Sequence, residues 1–446
     1  MREPIRCTVC GTATLVRVQL GNVLMSYTLP VPCRGCETNM IVHVVQDAEQ
    51  GTHDVTFDGA ERLSSKEEVA FQIEASSEFV VRLTHAGEKI SVTPYIRVCT
   101  LAGTEAVVML FQRLGQFLLS CHNDWVHLRR VNELWLRGRT DLISQMMQAE
   151  FFINPKITQS KLDILMVLHH LNLRFLSPIA DSSSLVNYGT EVLREISQLP
   201  PAGLKSIITT SDFHRYADKL FAQIDKYVAI FPRLVPAYNL TIIDPWKLDD
   251  EFFRDYGISS IAFEDVKSYY LDSFEVLGDL LDLVVALNNL KHRGSPEAML
   301  QIPGSKIQTL SEFRQTTTRK MEYVKHGETF DKLLGPILGT PYRNAIGHMT
   351  WRYEPFTQVI TMLESERAPT GKDITLLQFA DLVRRMFGVV LQAWELIYHL
   401  QKLALIIQGE TMSKELPVWL GDAHRPKPHR TDAPKRKRGR KKKKKK

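Results

Sequence analysis

The sequence predicts a mainly α protein with a helical bundle toward the C-terminus, a small N-terminal β zinc ribbon and a short β-rich segment. Three observations carry this expectation. Four cysteines fall in two CxxC pairs near the N-terminus. Stretches rich in β-branched residues, broken by turn signals, occupy the first hundred residues. From about residue 103 onward, apolar residues recur at three- and four-residue intervals, the period of one helix face.

Residues 1–45 read as the zinc ribbon. Cys7 and Cys10, then Cys33 and Cys36, form CTVC and CRGC separated by twenty-two residues. Soft thiolates offered two at a time from tight turns suit tetrahedral Zn2+. Four protein ligands leave no open position, so the expected ion is structural. Gly11 and Gly35 serve the turns, and Gly21-Asn22 marks a hairpin joining the two pairs. Cys99 and Cys121 are left over. The start, MREPIRCTVC, has no apolar segment of a signal peptide. Metal rather than disulfide is therefore the reading for the four cysteines.

Residues 46–205 form a middle region, β-rich and then helical. A second hairpin is expected about Ala86-Gly87. Helical patterns follow at residues 103–120, 124–150 and 158–171, the last opened by a Thr/Ser capping region. SPIADSSS and QLPPAGL read as loops, with a soft boundary near 205. His169-His170, Cys121-His122 and His127 lack metal-ligand partners at convincing spacing, so core or helix-surface roles are expected.

Residues 206–410 read as helices at 212–230, 263–291, 306–333, 341–352 and 373–408, each with one apolar face, as in a helical bundle. Residues 411–446 form the basic tail, expected to be disordered because it has little to bury. From Ala423 onward there are fourteen Lys or Arg and one acid. Removing that +13 from the formal +6 leaves about −7 for the rest. The body is thus mildly acidic, and any bulk attraction to nucleic acid resides in the tail. No run of eighteen apolar residues suggests a membrane span. The expected compartment is cytoplasmic, or nuclear in a eukaryote on account of the tail.

The chemistry-bearing stretch is TPYRNAIGHMTW, residues 340–351. Thr340 as N-cap and Pro341 at the first position specify a helix start. Arg343 and Asn344 then lie in the first turn, and His348 shares a face with Asn344. A guanidinium, an amide and an imidazole near a helix N-terminus form a phosphate-handling set. Glu275 or Asp279, on the acidic stripe of residues 263–291 with Asp272 and Asp282, are candidate partners for Arg343. Trp351, Tyr353 and Phe356 could stack on bases, with packing as their default role.

RNAIGH resembles the Arg-x4–6-His motif of the HEPN superfamily. The resemblance extends to an all-α architecture over residues 206–410, and in motif covers only this segment. It implies a homodimer and a metal-independent endoribonuclease, in which His348 acts as general acid or base at the ribose 2′-OH. Arg343 would stabilise the phosphorane, and Asn344 would orient His348 or the phosphate. It further implies a toxin or an anti-phage defence effector. The rival expectation is a non-catalytic protein whose zinc ribbon and tail hold nucleic acid while the helices dimerise. A third is the inactive partner of a toxin–antitoxin pair.

Overall fold

The computed structural model describes residues 1–423 except 48, 65–68, 70, 85–91, 181, 317–319, 335–341, 364 and 366–369, and excluding the side chains of 182–184. The expected hairpin at Ala86-Gly87, the cap at Thr340-Pro341 and the basic run from 424 onward lie outside the described residues. Helix accounts for 58% of the chain, so the protein is mainly α.

The N-terminal part contains strands β1 (Arg2–Cys7), β2 (Ala13–Gln19), β3 (Ser26–Pro32), β4 (Asn39–Asp47), β5 (Thr52–Asp58), β6 (Ala60–Arg62), β7 (Phe71–Ser76) and β8 (Val81–Arg82). One sheet has the order β6-β1-β2-β7, with β2 and β7 parallel. The other is the antiparallel meander β3-β4-β5. Alternating inward residues, among them Ile5, Val16, Leu29, Val31, Val42 and Val44, give the two sheets one core.

This arrangement corrects the expected hairpin between the cysteine pairs, because β2 and β3 join different sheets. The cause is Glu78. Its buried carboxylate accepts the N–H groups of Asn22, Val23 and Leu24 at 2.6, 2.7 and 2.7 Å. Those donors are therefore satisfied without a hairpin ladder. The boundary expected at residue 45 falls inside β4, and β5 to β7 complete the sheets.

Helices follow: α1 (Pro94–Ala102), α2 (Thr104–Asn123), α3 (Trp125–Leu136), α4 (Thr140–Phe151), α5 (Lys161–Leu176), α6 (Ser182–Ser197), α7 (Pro201–Thr210), α8 (Phe213–Tyr238) and α9 (Asp250–Asp255). The expected helix over 124–150 is two helices, broken where Gly138 takes φ +69°. The segments read as loops instead enter α6 and α7, with Pro201 at a first-turn position where its missing N–H costs nothing. The expected boundary near 205 lies within α7.

After strand β9 (Tyr256–Gly257), which pairs with β8, comes α10 (Phe263–Arg293), then α11 (Leu310–Gln315), α12 (Lys320–Val324), α13 (Thr329–Leu334) and α14 (Tyr342–Gly347). The long helix expected over 306–333 is thus three short ones. A meander of β10 (Trp351–Glu354), β11 (Val359–Leu363) and β12 (Gly371–Thr375) leads into α15 (Leu376–Ile407), and α16 (Leu416–Ala423) closes the described chain. Helix α16 lies within the segment expected to be disordered from 411, and Trp419 packs edge-on to His170.

The helical core is built on α8, α10 and α15. Tyr227 of α8 stacks on Phe387 of α15 with centroids 3.7 Å apart. Phe379 of α15 packs against Phe263 and Tyr270 of α10. Thr375 and Gln378 form a capping box that starts α15. Among the described residues no single helix is long and apolar enough to cross a membrane; α1 and α2 pass together only as a pair bent by 113°.

Candidate functional site: four cysteines and an arginine–histidine segment

The two cysteine turns meet. The sulfurs of Cys7, Cys10, Cys33 and Cys36 all lie within 4.8 Å of one another. Cys7 and Cys36 are 3.7 Å apart, Cys10 and Cys33 3.5 Å. Four sulfurs at about 2.3 Å from a tetrahedral zinc would sit about 3.8 Å apart, so the spacing fits that ion. The cluster is consistent with a zinc ribbon and with bound metal.

The surroundings favour thiolate at Cys7 and Cys10 and oppose it at Cys33. Thr12, through its hydroxyl and backbone N–H, brings the exposed Cys10 down to about 6. Burial pushes Cys7 upward, but the backbone N–H groups of Cys10 and Val9 outweigh it and leave the thiol below its ordinary value. Burial raises Cys33 to about 12. A cation would hold that sulfur deprotonated. Gly35 is sterically required: a Cβ there would lie 2.1 Å from Thr12 Oγ1 and 3.0 Å from Cys10 Sγ.

The second set lies on α14. The helix expected over 341–352 is six residues long and ends at Gly347, with His348 in the following turn and Trp351 already in β10. Thr350 forces the ending: its N–H and hydroxyl both bond Ala345 O, and its hydroxyl also reaches Leu363 O at 2.8 Å. A helix this short carries little of the N-terminal field expected from the sequence.

Ala345 and Ile346 are buried and point α14 into the core. At about 100° per residue the opposite face carries Arg343, Asn344 and Gly347. Asn344 and His348 are exposed, and Arg343 is half-buried. The His348 N–H bonds Asn344 O at 3.0 Å, which keeps the imidazole-bearing turn on the end of the helix.

Glu275 of α10 lies against Arg343, accepting from Nη2 at 2.6 Å and Nε at 3.0 Å. The guanidinium extends forward along the helix, so that a Cβ on Gly347 would be 3.7 Å from its Nη1. Arg343 therefore ends beside the residue preceding His348. Asp279 instead pairs with Lys219, Asp272 with Lys226 and Asp282 with Lys320. The acidic stripe thus clips α10 to neighbouring elements, with Glu275 the member that meets the motif. Trp351 and Tyr353 pack on Phe263, the default role. A cavity of about 970 Å³ has Tyr342, Lys372, Arg384 and Arg385 in its wall, next to Arg343 in sequence.

Sequence reasoning gave His169 only a core or helix-surface role and missed its partners in a polar cluster. His169 Nε2 lies 2.6 Å from Glu395 Oε1 and its ring stacks on Tyr398. His399 is 3.8 Å from the other oxygen of Glu395, and burial lowers it to about 3, leaving a neutral imidazole. Gly189 makes room, since a Cβ there would lie 3.1 Å from Glu395 Oε2. Partners 226 residues apart leave no local signal.

Comparison with family models, with curated proteins and with solved structures gave no match. The HEPN resemblance therefore rests on the segment Arg343–His348 alone.

Proposed function

We propose that this protein is a metal-independent endoribonuclease of HEPN type, with Arg343, Asn344 and His348 at its reaction centre. The observation that carries the reading is the placement of the Arg343 guanidinium over Gly347, held by Glu275, at a helix end where Asn344 and His348 are both exposed.

The chemistry follows from the groups. The His348 imidazole takes the proton from the ribose 2′-OH. The 2′-oxygen forms a bond to phosphorus and the P–O5′ bond breaks. The products are a 2′,3′-cyclic phosphate and a 5′-hydroxyl, which takes up a proton. Arg343 presents its Nη1 edge to charge developing on the phosphorane, and Glu275 holds Nε and Nη2 in place. Asn344 orients the phosphate. The nucleophile belongs to the RNA, so no metal-activated water is needed. Asp279, committed to Lys219, takes no part.

Zinc on Cys7, Cys10, Cys33 and Cys36 is structural in this reading, the basic tail adds non-specific affinity for RNA, and two copies pair as in the family that the motif resembles. A toxin or antiviral-defence role follows from the same resemblance. One observation favours a second reading: a guanidinium already paired with a carboxylate can be a surface clip. The protein would then bind nucleic acid without cutting it. RNA digestion by the purified full chain decides. Cleavage lost in His348→Ala supports the nuclease; cleavage that survives that change, or is absent from the wild type, supports the binding protein.

A further inference from the structure

One of the two residues between Cys33 and Cys36, Arg34, reaches out of the metal turn to the hairpin that follows His348. Its Cζ lies 4.2 Å from the centre of the Phe356 ring. It also donates to Thr84 O, and the Glu354 carboxylate lies within electrostatic reach. Phe356 and Glu354 form the tip of the β10–β11 hairpin, whose tip is closed by the Phe356 N–H donating to Glu354 at 3.1 Å.

The hairpin is a short rigid lever. Its four paired positions span about 14 Å. Trp351 faces Met362 at its base and Glu354 faces Val359 at its tip. The tip is held from a second side by Gln358, whose side chain receives the Ile258 N–H at 2.9 Å and donates to Ile258 O at 2.8 Å. The base is joined to α14 through Thr350, which bonds both Ala345 and Leu363. His348, Met349 and Thr350 are the three residues between helix and hairpin. Any tilt of the hairpin therefore falls on the turn that carries the imidazole.

We infer that the metal turn is a strut for the arginine–histidine segment, with Arg34 as the positioning residue that transmits it through Phe356. Resting on the nuclease reading, this makes RNA cleavage dependent on an intact cysteine site although no metal enters the chemistry. Chelation, or oxidation of the four thiols to disulfides by an added oxidant such as hydrogen peroxide, would release the CRGC turn, free the hairpin tip and loosen His348 relative to Arg343.

The test is amide hydrogen exchange on the zinc-loaded full chain, followed over Trp351–Leu363. Arg34→Ala and Phe356→Ala should each speed exchange there roughly tenfold, the scale of one cation–π contact at a partly covered site, with zinc content unchanged. The double variant should be no worse than either single one, and Arg34→Lys should fall between. Stripping zinc from the wild type should reproduce the loosening, and cleavage should fall in step. Unchanged hairpin exchange in Arg34→Ala, or effects of the two single changes that add, overturns the strut. Exchange needs no RNA, so the two claims fail separately. A wild type that cuts no RNA sinks the nuclease reading while exchange still decides the strut. A wild type that cuts RNA with a hairpin indifferent to Arg34 does the reverse.

Discussion

Replacing Gly35 by alanine should weaken the cysteine site's affinity for zinc without touching a ligand. The added Cβ would stand 2.1 Å from Thr12 Oγ1, 3.1 Å from Thr12 Cβ and 3.0 Å from Cys10 Sγ. Ordinary contact needs about 3.5 Å or more, so the two cysteine turns must part by roughly 1 Å. Zinc–sulfur bonds tolerate only about 0.2 Å. The strain is that of an overpacked core, about 1–3 kcal/mol, which weakens zinc binding roughly five- to hundredfold. The assay is competition for Zn2+ against a chromophoric chelator. Gly35 does not sit at positive φ, so the effect is steric and has a cure. Thr12→Ala removes the nearest atom, and the pair Gly35→Ala with Thr12→Ala should recover much of the affinity. Zinc binding as tight as wild type in Gly35→Ala, or no recovery in the double variant, would refute the packing argument.

Three further outcomes follow. Glu275→Ala should change stability by less than about 1 kcal/mol in urea unfolding, because its pair with Arg343 is largely solvent-exposed; RNA cleavage should nevertheless fall about tenfold or more as the guanidinium loses its anchor, and an equal cleavage rate would show Glu275 to be only a clip. Arg343→Ala should cost roughly a hundred- to thousandfold in cleavage, the scale of one removed oxyanion-type donor, with the melting temperature near wild type. Asp331 is raised from its ordinary 3.8 to about 6 by burial and then by Glu328. Between those values the folded chain keeps a proton that the unfolded chain has lost. Stability should therefore fall as pH rises through about 4 to 6, by at most about 3 kcal/mol, and stay flat above. Asp331→Asn should remove that slope and raise the neutral-pH melting temperature; an unchanged slope would assign it to other groups.

What the sequence reveals here depends on how local the cause is. The cysteine site is legible because each pair of ligands sits within one turn, and the spacing alone brings two turns together. The long amphipathic helices α8, α10 and α15 are legible for the same reason, since their apolar period persists over many turns. Helix α8 outruns its expected end at 230, through Pro232 and Pro236, because Leu234 and Val235 between them are fully buried. The hairpin at Gly21-Asn22 is misread because the groups that claim its N–H donors come from Glu78, more than fifty residues away. The stretch 341–352 is misread because its helical period and its pairing with Val359–Leu363 compete, and Thr350 resolves them in favour of the sheet. The partner of Arg343 could be narrowed to an acidic stripe from sequence. Choosing Glu275 over Asp279 required knowing that Lys219 occupies the latter.

The most direct measurement is cleavage of a defined single-stranded RNA by the zinc-loaded full chain in buffer free of added divalent ions, with the product ends analysed. The account predicts 2′,3′-cyclic phosphate and 5′-hydroxyl ends, and a loss of roughly a hundredfold or more in His348→Ala with folding and zinc content preserved. Full activity in His348→Ala, products ending in 5′-phosphate, or no cleavage by the wild type would contradict it.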